Sequence, residues 1–169
     1  MAKKQTFTLD FKPDYDFLLL GIFCAYRDYK LCAELNRYLL YNFEKLPDLE
    51  IKPDNKGTTC LFPYFFYLNE DEEEVYLISN KGNKYYFIPE LKQCDYFLVI
   101  KNYSRYTTIE ELERKIRFIS LVSSTFEIEP SGLKSAENFL YLEPYIDKDG
   151  EKPKLPPVKW SSTDTIELR

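Results

Sequence analysis

Histidine does not occur in this chain of 169 residues. Its absence removes Ser-His-Asp and Cys-His catalysis, His-containing zinc sites and haem ligation by His from the chemistry these residues perform. Glycine is scarce, with five residues, and none stands in a Gly-x-x-x-x-Gly-Lys pattern. Lys81-Gly82-Asn83-Lys84 is therefore no phosphate loop. A basic excess is also lacking: 23 Lys and Arg stand against 28 Asp and Glu, a net charge of −5. A nucleic-acid binder replaces condensed counterions with a basic footprint, and no stretch here supplies one, so no nucleic-acid partner is expected.

Long apolar runs are missing too. None approaches the roughly 20 residues of a spanning helix. Met1-Ala2-Lys3-Lys4 begins like a signal peptide, but the stretch from Gln5 to Phe11 alternates polar and apolar instead of forming an apolar core. No membrane partner is expected, and the chain reads as cytoplasmic. Cysteines fall at 24, 32, 60 and 94 with no Cys-x-x-Cys pair. They are expected as reduced thiols, three of them acting as small hydrophobes inside apolar segments.

Aromatics are abundant. They make up 17% of the chain, with 15 Tyr and 13 Phe. A codon bias toward Tyr and Phe explains this, and so does an interface, where such residues are enriched. The length suits one domain with a real core.

Thr6 to Phe11 alternates like a half-buried strand, and Phe17 to Phe23 is a continuous apolar run suited to a strand buried on both faces. Asp28 is positioned to cap a helix with Leu31, Cys32, Leu35, Tyr38 and Leu39 at helical spacing. Leu49 to Pro53 reads as a short strand. Leu61 to Leu68 and Val75 to Ser79 read as a hairpin with an acidic tip, Asn69 to Glu74, which lacks a calcium-loop spacing. Asn80 to Asn83 is a turn by composition. Thr108 to about Leu121 is the clearest helix, with a Thr107-x-x-Glu110 capping box and the stripe Ile109, Leu112, Ile116, Ile119. Three acidic-to-basic i, i+4 pairs, Glu110–Arg114, Glu111–Lys115 and Glu113–Arg117, mark its solvated face. A strand is expected at Phe126 to Pro130 and a short helical turn after Ser135.

The two halves echo each other. Asp16 and Asp95 open apolar strands, Asp28 and Thr107 follow twelve residues later, and the units end in Glu50-Ile51-Lys52-Pro53 and Glu127-Ile128-Glu129-Pro130. Each reads strand–helix–strand. The predicted fold is α+β: a mixed β-sheet with two strand–helix–strand units, helices packed on the sheet and a central β-hairpin. Residues 1–146 are predicted to form a single domain and 147–169, with Pro153, Pro156 and Pro157, a flexible Pro-rich C-terminal tail.

Ile88-Pro89-Glu90-x-x-x-Cys94-Asp95-Tyr96 sets two carboxylates between apolar segments. Pro89 forces Ile88 to be extended and suits the first position of a helical turn, and Glu90 meets the positive end of that turn. Asp95 is placed to accept main-chain N–H groups where the chain changes direction. The alternative gathers Glu90, Asp95 and Tyr96 in a pocket as acid, base or ligand groups. Cys94 lacks a His base, and Asp95 beside it disfavours the thiolate. No catalytic residue, metal ligand or cofactor is assigned.

The motif resembles the signature of a bacterial family named IPExxxVDY, with Cys94 where the signature has Val. The similarity covers roughly residues 5 to 145, including the helix start Asp28 to Cys32, Leu77 to Asn80 and Phe126 to Ile128. It implies a bacterial, cytosolic protein and carries over no catalytic role.

The stretch Leu61 to Leu68 alternates two apolar faces, with Pro63 interrupting its ladder. Such an edge strand needs cover, from the chain's own helices or from another chain. Leu61, Phe62, Tyr64, Phe65, Phe66 and Tyr67 are the candidate interface. The expected function is non-enzymatic, through protein–protein contacts as a homodimer or with another protein partner. The alternative is a ligand-binding or catalytic domain using Glu90, Asp95 and Tyr96.

Overall fold

The computed structural model describes residues 14–52 and 57–144. The alternating stretch Thr6 to Phe11, Pro53 and the predicted tail 147–169 lie outside the described residues. Six strands form the main sheet: β1 (Phe17–Phe23), β2 (Glu44–Lys45), β5 (Tyr64–Leu68), β6 (Glu74–Ser79), β7 (Tyr96–Lys101) and β8 (Ser124–Glu127). A second, two-stranded sheet joins β3 (Leu49–Ile51) to β4 (Cys60–Phe62). The helices are α1 (Asp28–Leu39) and α2 (Ile109–Arg117). With helices on a sheet, the class is α+β.

The main sheet runs in the order β2-β5-β6-β7-β1-β8, and every neighbouring pair is antiparallel. Because β7 and β8 both oppose β1, they run parallel to each other across it. The unit β7–α2–β8 thus steps over one strand, and β1–α1–β2 steps over three. Between these units lies the hairpin β5–β6, with Tyr64 opposite Ile78 and Leu68 opposite Glu74.

Alternation along the central strands divides the core in two. Leu20, Ile22, Leu77, Leu98 and Ile100 meet Leu31, Leu35, Ile109, Leu112 and Ile116 of the helices. Leu19, Tyr76, Ile78, Phe97 and Val99 face the other way, toward Ile51 and Phe62 of the small sheet and toward Phe87, Ile88, Cys94 and Phe139. The apolar runs at β1 and β7 are the strands buried on both faces. Complete burial of a side chain such as Leu35 contributes roughly 2 kcal/mol.

The two strand–helix–strand units close differently. Leu49 to Ile51, expected to match Phe126 to Pro130, instead leaves the main sheet and pairs with β4. Its place at the sheet edge goes to Glu44 and Lys45, opposite Phe66 and Phe65. Two prolines account for this. Pro47 has no N–H to continue that ladder, and Pro63 separates β4 from β5, so one aromatic run serves two sheets. At the other end, β8 stops at Glu127, and a 3₁₀ turn occupies Pro130–Gly132.

Neither expected helix cap forms. Arg27 holds the cap position of α1, and Asp28 Oδ1 accepts the Tyr29 N–H at 2.8 Å. Thr108 holds the cap position of α2 without a side-chain bond, while the Thr107 hydroxyl donates to Glu73. Helix α2 ends at Arg117, short of Leu121, and turns through Ile119 and Val122 carry the apolar stripe onward. Glu111–Lys115 and Glu113–Arg117 both pair at 3.1 Å on its exposed face. Such pairs contribute a few tenths of a kcal/mol each.

Candidate functional site

The motif runs from the buried Ile88 into a 3₁₀ turn at Pro89–Leu91, then through Cys94 and Asp95 into β7. Ile88 is extended, with φ −122° and ψ 91°, and Pro89 starts the turn. The side chain that holds this loop lies outside the motif. Asn80, fully buried at the end of β6, accepts the Ile88 N–H at 2.8 Å through Oδ1. Its Nδ2 donates to Leu91 O and to Cys94 O, both at 2.8 Å. Its main chain adds Asn80 N–H to Asp95 O at 2.9 Å and accepts Phe87 N–H at 2.7 Å. One amide thus fixes both ends of a seven-residue excursion whose irregular backbone has no ladder of its own.

The three polar motif side chains reach two separate segments. Glu90 accepts the Ser135 N–H at 2.7 Å and the Ser135 hydroxyl at 2.9 Å, tying the turn to the segment before the 3₁₀ helix Ala136–Tyr141. Asp95 Oδ2 accepts the Cys24 N–H at 2.8 Å, just past the end of β1. This bond crosses 71 residues, so Asp95 serves a neighbouring strand rather than its own change of direction. The Tyr96 hydroxyl donates to Tyr26 O at 2.6 Å. Asp95 and Tyr96 therefore share the 24–26 segment, and Glu90 points to another part of the fold.

Their electrostatics follow from these partners. Burial alone would raise the Glu90 carboxyl. The Ser135 amide and hydroxyl, with the amides of Glu90 and Lys134, outweigh it and hold the group below its ordinary 4.5. Burial pushes the Tyr96 phenol up, helped by Asp28, Cys24 and Asp95. The Cys94 thiol is pushed up to about 12 by burial, with Asp95 adding to the shift, and lies 3.2 Å from Tyr96 O. It is a buried thiol at neutral pH rather than a thiolate. Cys32 is likewise pushed up to about 12 by burial and by Asp28. All four cysteines are buried. No group of three Cys, Asp or Glu side chains among the described residues is arranged to hold a metal ion.

The aromatic stretch is divided. Phe62, Tyr64 and Phe65 are buried by this chain itself, Phe66 and Tyr67 are half-buried, and Leu61 alone reaches 37% exposure. Phe65 joins the helix-side core, whereas Phe62 and Tyr64 join the opposite one. The edges beside this stretch are also closed. β2 covers Phe65 and Phe66, and Asn83 brackets Leu61, its Oδ1 accepting the Leu61 N–H and its N–H donating to Leu61 O. Five of the six interface candidates thus become core or sheet-packing residues, and Leu61 is the exception.

Two further polar centres escape sequence reading. Lys101 Nζ donates to Leu142 O at 2.6 Å and stands 5.4 Å from the centre of the Tyr76 ring, whose hydroxyl donates to Glu74 at 2.8 Å. Burial pulls this ammonium below its ordinary 10.5 against the pull of Glu74 and Glu143. Glu73, only 4% exposed, accepts Ser104 N–H at 2.6 Å and the Thr107 hydroxyl on one oxygen, and Asn69 Nδ2 at 2.6 Å on the other. Burial alone would raise its carboxyl, but these hydrogen bonds together hold it below 4.5. In the sequence, Glu73 is one of a run of acidic residues, and only its tertiary neighbours single it out. The chain matches no protein family, no curated protein and no solved structure among those compared with it.

Proposed function

We propose that this chain acts without catalysis, through contacts with another protein chain, and that the first such chain is a second copy of itself. The supporting observation is the free sheet edge at β8. Among the described residues, Ser124–Glu127 pairs with β1 alone, leaving its other side without a ladder. The opposite edge is blunted, since β2 is two residues long and both are charged. Phe118, in the connection leading into β8, is 68% exposed. An open strand preceded in the chain by an exposed aromatic suits edge-to-edge pairing, in which main-chain hydrogen bonds supply affinity and side chains supply fit. The resemblance to the IPExxxVDY signature belongs to the same reading, with the bacterial, cytoplasmic setting that it implies.

The motif supports this reading indirectly. Asp95 and Tyr96 already have main-chain partners in the 24–26 segment and Glu90 has its own at Ser135, so the three do not converge for acid–base work. The test is the mass in solution of the unmodified chain and of a Phe118→Lys, Ser124→Lys variant, by light scattering at micromolar concentration. A dimer mass that falls to monomer in the variant is expected, because edge lysines oppose strand pairing. A monomeric unmodified chain, or a dimer indifferent to both lysines, overturns the proposal.

A further inference from the structure

A cleft of about 230 Å³ opens between the tip of the β5–β6 hairpin and the start of α2. Glu73, Tyr41 and Tyr106 line it, as do Asp71, Glu111 and Lys115. Its lining charge is unbalanced, with three carboxylates against one ammonium. Lys115 is moreover already paired with Glu111 at 3.1 Å.

Glu73 makes the imbalance consequential. It is buried and its carboxyl is held in the ionised form, yet no Lys or Arg nitrogen lies within 4 Å of it among the described residues. Its hydrogen-bond partners are all neutral: the Ser104 N–H, the Thr107 and Ser104 hydroxyls and the Asn69 side-chain amide. A carboxylate offers about four acceptor positions, and these four donors fill them without cancelling the charge. A buried anion stabilised by neutral dipoles alone attracts a cation more strongly than an exposed one, because water screens it less.

The walls suit an organic cation. Tyr41 packs against Tyr67 with ring centres 5.1 Å apart and against Phe43 at 5.6 Å, which fixes its ring in place. Its phenol is pushed up by burial and by the charge of Glu73, so it remains a neutral hydroxyl facing that field. Tyr106 is 74% exposed and carries the Arg105 guanidinium 4.9 Å from its ring centre. Aromatic faces beside carboxylates favour alkylammonium groups, which combine charge with an apolar stem. A bare divalent metal has no such preference, and the carboxylates are not gathered for one.

We infer that this cleft binds a primary ammonium on an alkyl stem, with Glu73 and Asp71 supplying the countercharge and Tyr41 and Tyr106 the walls. The same chemistry is carried by a free alkylamine and by a lysine side chain of another protein. This site is independent of the β8 edge and does not rest on the dimer.

The test is a titration of the full chain with 1-aminobutane, followed by amide chemical shifts, beside a titration with neutral 1-butanol. The expected result is saturable binding at low-millimolar amine, with shifts confined to residues 69–73 and 104–115, weakened by added salt and absent with the alcohol. Glu73→Gln should weaken binding by about tenfold, the scale of one lost charge-assisted contact. Because that variant perturbs a buried group, Asp71→Asn and Tyr106→Ala, both at exposed positions, provide a second arm. Each is expected to weaken binding about threefold or more. A lysine-containing tetrapeptide capped at both ends separates the sources. Binding tighter than that of the amine assigns the site to a protein lysine, and equal or weaker binding assigns it to a free amine. Shifts scattered over the surface, equal response to the alcohol, or amine affinity unchanged in both exposed variants overturns the inference.

Discussion

On one face of the main sheet, Leu35 and Ile116 reach the strands from two helices. On the other, Phe62, Phe87 and Phe139 reach them from a two-stranded ribbon, a loop and a 3₁₀ segment, with ring centres 5.3 and 5.1 Å apart along that row. Both faces are similarly apolar, but their backbones differ. A helix satisfies its own N–H and C=O groups, so its buried side chains need only be apolar. Irregular segments leave those groups open, and polar side chains must close them. Asn80, Glu90, Asp95, Lys101 and Asn138 all bond to main-chain atoms of distant segments, and most of them serve the second face. The motif belongs to this second kind of order.

The difference is open to attack from both sides. On the helix face, Ile116→Ala should lose about 4 kcal/mol in urea unfolding, as a full core truncation does. On the other face, Asn80→Ala should lose about 3 kcal/mol, although it removes little apolar surface, because the Ile88 N–H and Cys94 O would lose their buried partner and Leu91 O would keep only the Cys94 N–H. If Asn80→Ala costs less than a surface substitution, polar closure is not what holds the second face.

Glu73→Gln comes next, at about 2 kcal/mol near neutral pH, since its new NH₂ meets a donor at Asn69 Nδ2 or at the Ser104 N–H. The sign with pH follows from its lowered folded pKa. The carboxylate's contribution is complete above about 4.5 and is lost as pH falls through the folded value. The unmodified protein should therefore converge on the Gln variant in stability as acid is added, which paired unfolding curves at neutral and acidic pH would reveal.

Gly21→Ala sharpens the comparison at close range. A Cβ there would stand 2.8 Å from the Phe126 ring, 3.0 Å from Cys94 Sγ and 3.0 Å from Ile128 Cδ1. A loss of about 1–2 kcal/mol is expected from this overpacking. Glu90→Gln should have the smallest effect, below about 1 kcal/mol, because its bonds to Ser135 are exposed to solvent. A larger loss from Glu90→Gln than from Asn80→Ala would reverse the order argued here and place the motif's own carboxylate at the centre of the fold.

Much of the helix face was legible residue by residue. Leu31, Cys32, Leu35 and Leu39 recur at helical spacing and are all buried, and Ile109, Leu112 and Ile116 behave likewise. The second face was only partly so. Pro89 and the turn after it follow from local chemistry, but the partners Cys24, Tyr26 and Ser135 lie 71, 70 and 45 residues away from the groups that bind them. Asn80 looked like a turn residue because asparagine is common in turns, and nothing adjacent marks it as a hub. The aromatic stretch looked like an interface because both its faces are apolar. Two sheets and two cores divide it instead, with Pro63 at the division.

Local periodicity and proline chemistry by themselves determined the α+β class, the two helical stripes, the doubly buried strands and the break at Pro63. These features depend on neighbours a few residues apart, where backbone geometry fixes which side chains share a face. Only the tertiary structure decided that Asn80 closes the motif loop, that Glu73 lies buried with no Lys or Arg nitrogen within 4 Å among the described residues, and that β8 rather than β5 ends the main sheet of those residues. Each of these depends on hydrogen-bond partners or strand order across tens of residues, and a one-dimensional pattern has no distances with which to encode them.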